Sequence, residues 1–242
     1  DKEPGYVPRR KDKGLAGLPG DAPFVVHPDG LGWLYAPSGL VDGPLPAHYE
    51  PQESPFENPL YDQQRNPTRQ EFPRPENPYH PTHGEPGADV YPFVMTTYRL
   101  TEHHTAGAMS RSVPYLAELQ PEMFCEVSPA LAEERELVHG DWATIISARG
   151  AIEARVMVTD RIRPLTVEGR TMHLVGLPYH WSSQGLVTGD AANELVPLAL
   201  DNNVHISEYK AGTCDIQPGR RPRGPARLAL IEEYRRRAGV RQ

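Results

Sequence analysis

Residues 96–111 carry the densest set of reactive side chains in the sequence: Thr-Thr-Tyr-Arg-Leu-Thr-Glu-His-His-Thr-Ala-Gly-Ala-Met-Ser-Arg. Hydroxyls, two arginines, a glutamate, paired histidines and a glycine suit the holding of a large polar ligand. Phosphates at one end would meet arginine and threonine, and amide-like edges at the other would meet glutamate. The pair His103–His104 makes a poor metal site, because adjacent side chains diverge and no third ligand stands at a fitting spacing. The common engines of catalysis do not occur: no glycine-rich phosphate loop with Lys-Ser/Thr, no Gly-x-Ser-x-Gly, no His-Glu-x-x-His and no Cys-x-x-Cys. Cys125 and Cys214 are too few for a disulfide framework or a four-thiolate metal site and read as buried, inert thiols.

What must position that run is a chain of two textures. Of 27 prolines in 242 residues, 18 precede Phe93 and the other nine are spread over the remaining 150. Each proline removes a ladder donor and extends its predecessor, so 1–90 is expected to form a long extended segment rather than a sheet. Its aromatics, Trp33, Tyr35, Tyr49, Phe56, Tyr61, Phe72 and Tyr79, argue for a strap laid over a partner surface rather than a disordered linker. From 91 to 215 the sequence predicts a folded, mainly β domain. A strand leads into the polar run, Ser128-Pro129 starts a short helix over 130–137, and 142–147 and 151–159 form a hairpin around Arg149-Gly150 with one wet face. Another strand follows at 173–178 and a long loop at 179–193. Short strands, few helices and long connections indicate a small β-barrel in which Trp142, Ile145, Ile152, Val156 and Val158 are buried.

The formal net charge is −7, and 216–242 alone holds eight arginines against two glutamates. That basic tail reads as a separate element, helical over 226–237 with Leu228, Ile231 and Tyr234 at helical spacing. It lacks the interleaved aromatics that single-strand binding favours, and the acidic whole gives no case for nucleic acid. No apolar run reaches the length of a membrane span. A start at Asp1 without Met reads as part of a longer polypeptide.

The ordered runs TTYRLTEHHTAGAMSRSVPYLAELQPEMFCEVSPALA, VHGDW, RGAIEARVMVTDR, GLPYHWSSQG and DAANEL resemble the C-terminal cofactor-binding domain of molybdopterin oxidoreductases. Within that family they are most similar to the formate dehydrogenase major (alpha) subunit, with periplasmic nitrate reductases next by motif. Upstream, DGLGWLYAPSGLVDGPLPAHYEPQESPFENPL resembles the proline-rich segment preceding this domain in membrane-associated formate dehydrogenases. The resemblance covers about 15–215.

The resemblance implies a double-psi β-barrel of the aspartate-decarboxylase-like type that caps a bis(molybdopterin guanine dinucleotide) with molybdenum or tungsten. By position it assigns cofactor contacts to Thr97, Tyr98, Arg99, Leu100, Thr101, Glu102, His103, His104, Thr105, Ala106 and Gly107. It adds His180 and Trp181, a cofactor-binding Asn193, and the pair Tyr209-Lys210. Tyr179 falls near a substrate-side aromatic of nitrate reductases. The metal-ligating Cys or selenocysteine, the catalytic His and Arg and the iron–sulfur cluster of the family would belong to an earlier part of the subunit. No catalytic residue and no metal ligand is therefore expected in this chain. Implied partners are the rest of the major subunit, an iron–sulfur beta subunit, with or without a membrane cytochrome subunit, and formate. The location is either the periplasmic side of an inner-membrane complex or the cytoplasm. The alternatives are a non-catalytic double-psi-barrel module that binds protein, and the same domain of a nitrate reductase.

Overall fold

A computed structural model describes residues 6–12, 17, 19, 50–51, 53–62, 70–71, 87–200, 206–207 and 209–239. The chain divides into two units, 1–47 with 202–205, and 48–201 with 206–242. In the first, the described residues form a turn in which the Tyr6 hydroxyl (2.6 Å) and the Arg9 amide (2.7 Å) both donate to one Asp12 oxygen. The expected strap lies mostly outside the described residues, including its aromatics Trp33, Tyr35, Tyr49, Phe72 and Tyr79.

Among the described residues the second unit carries ten strands and three α-helices, in the order β1 Gln70–Glu71, β2 Phe93–Tyr98, α1 Pro114–Leu119, β3 Phe124–Val127, α2 Pro129–Glu134, β4 Trp142–Ile146, β5 Ala151–Val158, β6 Leu165–Val167, β7 Arg170–Met172, β8 Leu174–Pro178, β9 Ala199–Leu200, β10 Gly212–Pro218 and α3 Pro225–Arg237. Six strands close into a barrel in the order β10-β2-β8-β3-β5-β4, with β4 returning to β10. Two of its pairs, β2 with β8 and β3 with β5, are parallel. The other four are antiparallel.

Alternation explains the interior. In β2, Phe93, Met95 and Thr97 are buried while the residues between them are half-exposed, the period-two pattern of a strand with one face inward. Ile145, Ile152, Val156, Val175, Leu177, Cys214 and Ile216 fill the same core. Burial pushes the Cys125 thiol up to about 12 and Cys214 well above its usual value, which keeps both neutral. Trp142 and Val158, expected inside, are only half-buried.

The helix starting at Pro129 is capped by Ser128, whose hydroxyl accepts from the Leu131 amide at 3.2 Å, and it ends at Glu134, short of the expected 137. α1 and the hairpin β6–β7, which turns on Glu168 and Gly169 at positive φ, were not foreseen. The outer face of the β4–β5 hairpin, expected wet, is covered. Ile231, Tyr234 and Ala238 of α3 pack on Ile146, Ala148, Ala151 and Tyr91 in a second apolar cluster. Burying the larger of these side chains contributes about 1.5–3 kcal/mol each. Polar contacts fix the helix, with the Tyr234 hydroxyl donating to Asp215 (2.8 Å) and Arg235 Nε to the Ala148 carbonyl (2.7 Å).

Candidate functional site

Strand register sets which loops meet. Tyr98 lies beside Pro178, Gly212 beside Met95, Ile146 beside Ala151, and Phe124 beside Arg155. One end of the barrel therefore collects the loops that leave β2 and β8, the approach to β10 and the β4–β5 turn. The sequence-expected site residues all fall in those segments.

The loop after β2 is held from beneath by His180. This imidazole is fully buried, and its Nε2 accepts from the Leu100 amide at 2.7 Å while Nδ1–H donates to the Thr105 carbonyl. Those two partners define a neutral ring protonated at Nδ1. Burial first, then the nearby His103 and Arg99, holds its pKa below the ordinary imidazole range. Tyr179 stacks on the ring at 4.8 Å, and the Arg99 guanidinium lies 5.2 Å above Tyr179.

His103 is buried as well. Its Nε2 meets the Gln120 carbonyl at 2.9 Å and its Nδ1 the Ser110 hydroxyl at 3.1 Å, and Trp181 stands edge-on 5.1 Å away. His104, by contrast, points outward and is tied through its amide to Ser110 (3.1 Å). The two adjacent histidines thus diverge, one into the frame and one to the surface. Among the described residues no group of three His, Cys, Asp or Glu side chains could hold a metal ion.

The tip of the loop, Thr105 and Ala106, is exposed, and Thr105 is a β-branched residue at φ +47°. Such a conformation is costly and needs support, here the hydrogen bond from His180 to the Thr105 carbonyl. Gly107 follows at φ +79°, and a Cβ there would stand 2.1 Å from the His180 carbonyl oxygen, so the β8 loop can close on the β2 loop only over glycine.

Thr97 pins the third segment: its hydroxyl donates to the Tyr209 carbonyl at 2.6 Å, and its own carbonyl accepts from Lys210 Nζ at 3.3 Å. Asn193, on a short 3-10 turn (Ala192–Glu194), and Tyr209 line a cleft of ≈ 430 Å³ with Arg149, Arg227 and Ile231. Tyr98 turns its ring to the barrel wall, where Gly176 leaves room for it, and its hydroxyl is buried without a partner among the described residues. Burial raises that phenol's pKa. Leu100 packs on the core, and Trp181 is buried against Gly189 with its indole N–H unpartnered among the described residues.

The end of the barrel thus has two layers. Thr97, Tyr98, Leu100, His103, Gly107, His180 and Trp181 form a frame. Arg99, Thr101, Glu102, His104, Thr105, Ala106, Asn193 and Lys210 stand on it, wholly or partly exposed, and Tyr209 is half-buried between the layers. Arg99 and Lys210 have no carboxylate partner among the described residues. Such a surface can receive an extended anion with a polar ring system.

Two further features escaped the sequence reading. Glu53, from the proline-rich segment, is buried on this barrel, accepting from the amide and hydroxyl of Thr213 (3.0 Å each) and pairing with the buried Arg149. Nothing in a run of Pro, Gln, Glu and Ser marks which glutamate is buried. Arg111, inside the polar run, points into the protein rather than outward.

A family model described as the molydopterin dinucleotide binding domain matches residues 93–213. The chain is 41% identical over 196 residues to formate dehydrogenase 2 subunit alpha (cytochrome c-553) of Nitratidesulfovibrio vulgaris, covering 79% of this chain and 19% of that protein. It is 41% identical over 194 residues to formate dehydrogenase subunit alpha of Megalodesulfovibrio gigas (79% and 18%). The nitrate-inducible formate dehydrogenase major subunit of Escherichia coli is 38% identical over 203 residues (81% and 19%). The chain spans about one fifth of the length of these curated relatives.

Proposed function

From the premise that this chain belongs to the molydopterin dinucleotide binding domain family, we propose that its barrel end holds a bis(molybdopterin guanine dinucleotide) for an enzyme that oxidises formate. The observation that carries this reading is the gathering of segments distant in sequence, 99–107, 193 and 209–210, at one end of the barrel, with Arg99 and Lys210 left without carboxylates among the described residues. An anionic dinucleotide needs such cations, and in a chain of net charge −7 they must be concentrated locally. The fit is supported by a buried polar atom without a partner among the described residues, Arg111 Nε, beneath the same loops.

In this reading Arg99 and Lys210 neutralise phosphate, and the Thr101 and Thr105 hydroxyls donate to it. Glu102 accepts from a donor edge of the pterin, with His104, Ala106, Asn193 and Tyr209 lining the path. The frame residues Thr97, Tyr98, Leu100, His103, Gly107, His180 and Trp181 act through them, so that the surface is organised before the ligand arrives. The cofactor would supply two-electron chemistry at molybdenum or tungsten. The two parallel pairs, β2 with β8 and β3 with β5, set among four antiparallel ones in a closed six-stranded barrel support assigning it to the double-psi type.

The names of the similar proteins support the wider proposal, in which this chain is the cofactor-binding part of a formate dehydrogenase alpha-type subunit. The rest of that subunit would supply the metal ligand and an iron–sulfur cluster, and an iron–sulfur beta subunit, with or without a membrane cytochrome subunit, would take the electrons. No described helix is long and apolar enough to cross a membrane. The domain division proposed with this function is a proline-rich strap over 1–90, the cofactor barrel over 91–215 and the basic segment 216–242.

The test is chemical. The full-length polypeptide, purified without oxygen and hydrolysed in acid, should release guanosine nucleotide together with molybdenum or tungsten. A folded full-length protein with neither would overturn the reading.

A further inference from the structure

Arg111 is 1% exposed and, among the described residues, lacks the usual companion of a buried guanidinium, a carboxylate. Instead, the two N–H groups of its Nη1 are shared among three main-chain carbonyls of the β8 loop: Val187 at 3.1 Å, Ser182 at 3.3 Å and Gln184. The main chain of Arg111 is engaged on both sides too. Its carbonyl accepts from the Leu186 amide at 2.9 Å, and its amide donates to the Gly107 carbonyl at 2.8 Å. The loops keep glycine where they approach this side chain, since a Cβ on Gly107 would lie 2.9 Å from Arg111 Nε and one on Gly185 3.0 Å from Arg111 Cβ.

Burying a cation on carbonyls alone carries a desolvation cost that an apolar side chain of the same volume would avoid. The one thing an apolar residue could not do is bond several carbonyls of a separate loop at once. Nη1 does this with two N–H groups held in the fixed plane of the guanidinium. With no carboxylate partner among the described residues, it also adds positive potential at the end of the barrel.

We propose that Arg111 is a positioning residue of the cofactor site, clasping 182–187 onto 103–107 and thereby fixing the mouth in which the anionic dinucleotide is held. This rests on the cofactor reading of the barrel end.

The experiment compares Arg111→Met, Arg111→Lys and Ile216→Ala in the full-length protein. Ile216 lies in the barrel core on β10, beside Ile145 of β4, so its truncation reports plain destabilisation. Two quantities are read, deuterium exchange at the Leu186 amide and guanosine nucleotide per folded protein. Arg111→Met should lose Leu186 protection and lower nucleotide content about tenfold, the size of one lost charge-assisted contact. Arg111→Lys, which keeps the charge but reaches fewer carbonyls, should fall between Met and wild type. Ile216→Ala should change neither below its melting range. Wild-type nucleotide content and exchange in both Arg111 variants, or the same losses in Ile216→Ala, would overturn the clasp. If Arg111→Met does not fold, Arg111→Lys decides alone by the same two readouts. If the wild type itself carries no nucleotide, the cofactor reading fails, and the clasp stands or falls on Leu186 exchange.

Discussion

The arginines of the barrel wall are treated differently from Arg99, Arg111 and Lys210 at the barrel end, although two arginines lining the cleft beside Asn193, Arg149 and Arg227, are paired with Glu53 and Glu194. On the wall, Arg220 (2.7 Å) and Arg223 (2.6 Å) share one oxygen of Glu153, and Arg221 pairs with both oxygens of Asp190. Trp142 lies between Arg155 and Arg220, 4.2 and 4.3 Å from its ring centre. Burial works against the charge on Glu153 and Asp190, yet their arginines outweigh it and hold both carboxyls below the usual range. At the end, Arg99 rests on an aromatic ring, Lys210 on a carbonyl and Arg111 on three carbonyls. A cation already matched by carboxylate is part of the scaffold. Of those without a carboxylate among the described residues, the exposed Arg99 and Lys210 are the ones proposed to meet an anion from outside.

The sharpest way to break this contrast is Gly107→Ala. Positive φ and a Cβ 2.1 Å from a main-chain oxygen together should cost about 2–5 kcal/mol, or the β8 loop must part from the β2 loop. Thermal melting should show the loss along with reduced nucleotide content. An unchanged melt and content would mean that the barrel end is a loose surface rather than a preorganised one.

Next in size is the difference between two exposed cations. Arg99 can meet a phosphate with two N–H groups, whereas Lys210 offers a compact charge partly engaged by the Thr97 carbonyl. Arg99→Ala should therefore weaken cofactor retention by about 1.5–3 kcal/mol, ten- to hundredfold, and Lys210→Ala by less. Neither should move the melting temperature. Equal retention in both variants would remove the phosphate role from Arg99.

Glu153→Gln probes the paired side. Its arginines are more than half exposed, with side chains 56% and 54% accessible, so solvent screening limits the loss to about 1 kcal/mol. Cofactor content should be unaffected. A fall in content as large as that of Arg99→Ala would show that the wall and the end are not separate in function.

These contrasts also mark what could be read from the sequence. β2, β8, the β4–β5 hairpin, the Ser128–Pro129 helix start and the terminal helix were legible because each has a local cause, a period of two or 3.6, a cap or a turn. The arginines of 216–242 were visible as a cluster but read as a separate element, because their partners Glu153, Asp190 and Glu194 lie tens of residues away in sequence. His180 shows the limit most clearly. Its bonds to Leu100 and Thr105 span 80 and 75 residues, so the resemblance marked it as a cofactor contact, while the geometry places its ring under the loop with both nitrogens engaged. Arg99 and Arg111 were equivalent letters in one polar run. Only packing turns the first outward and the second in.

The smallest expected effect concerns His180 and acidity. Burial holds this imidazole below its ordinary pKa of about 6.5, so the folded protein binds its proton less readily than the unfolded chain does. The stability it contributes is therefore complete above that unfolded value and is lost as pH falls through it toward the folded pKa. The geometry gives the same sign, since a proton on Nε2 would abolish the acceptor for the Leu100 amide and place a buried charge among His103, Trp181 and Tyr179. Glu153 and Asp190 on the wall also lose stability in acid, but their depressed carboxyl pKa values place that loss in a lower pH window. Exchange protection of the Leu100 amide should thus decline on acidification through the histidine range, while protection of the Glu153 amide, which donates to Asp190 at 2.9 Å, persists until the carboxyl range. In His180→Asn the first of these two transitions should disappear and the second remain. If both amides lose protection together in the wild type, the barrel end and the wall unfold as one unit and the separation between them does not extend to their pH response.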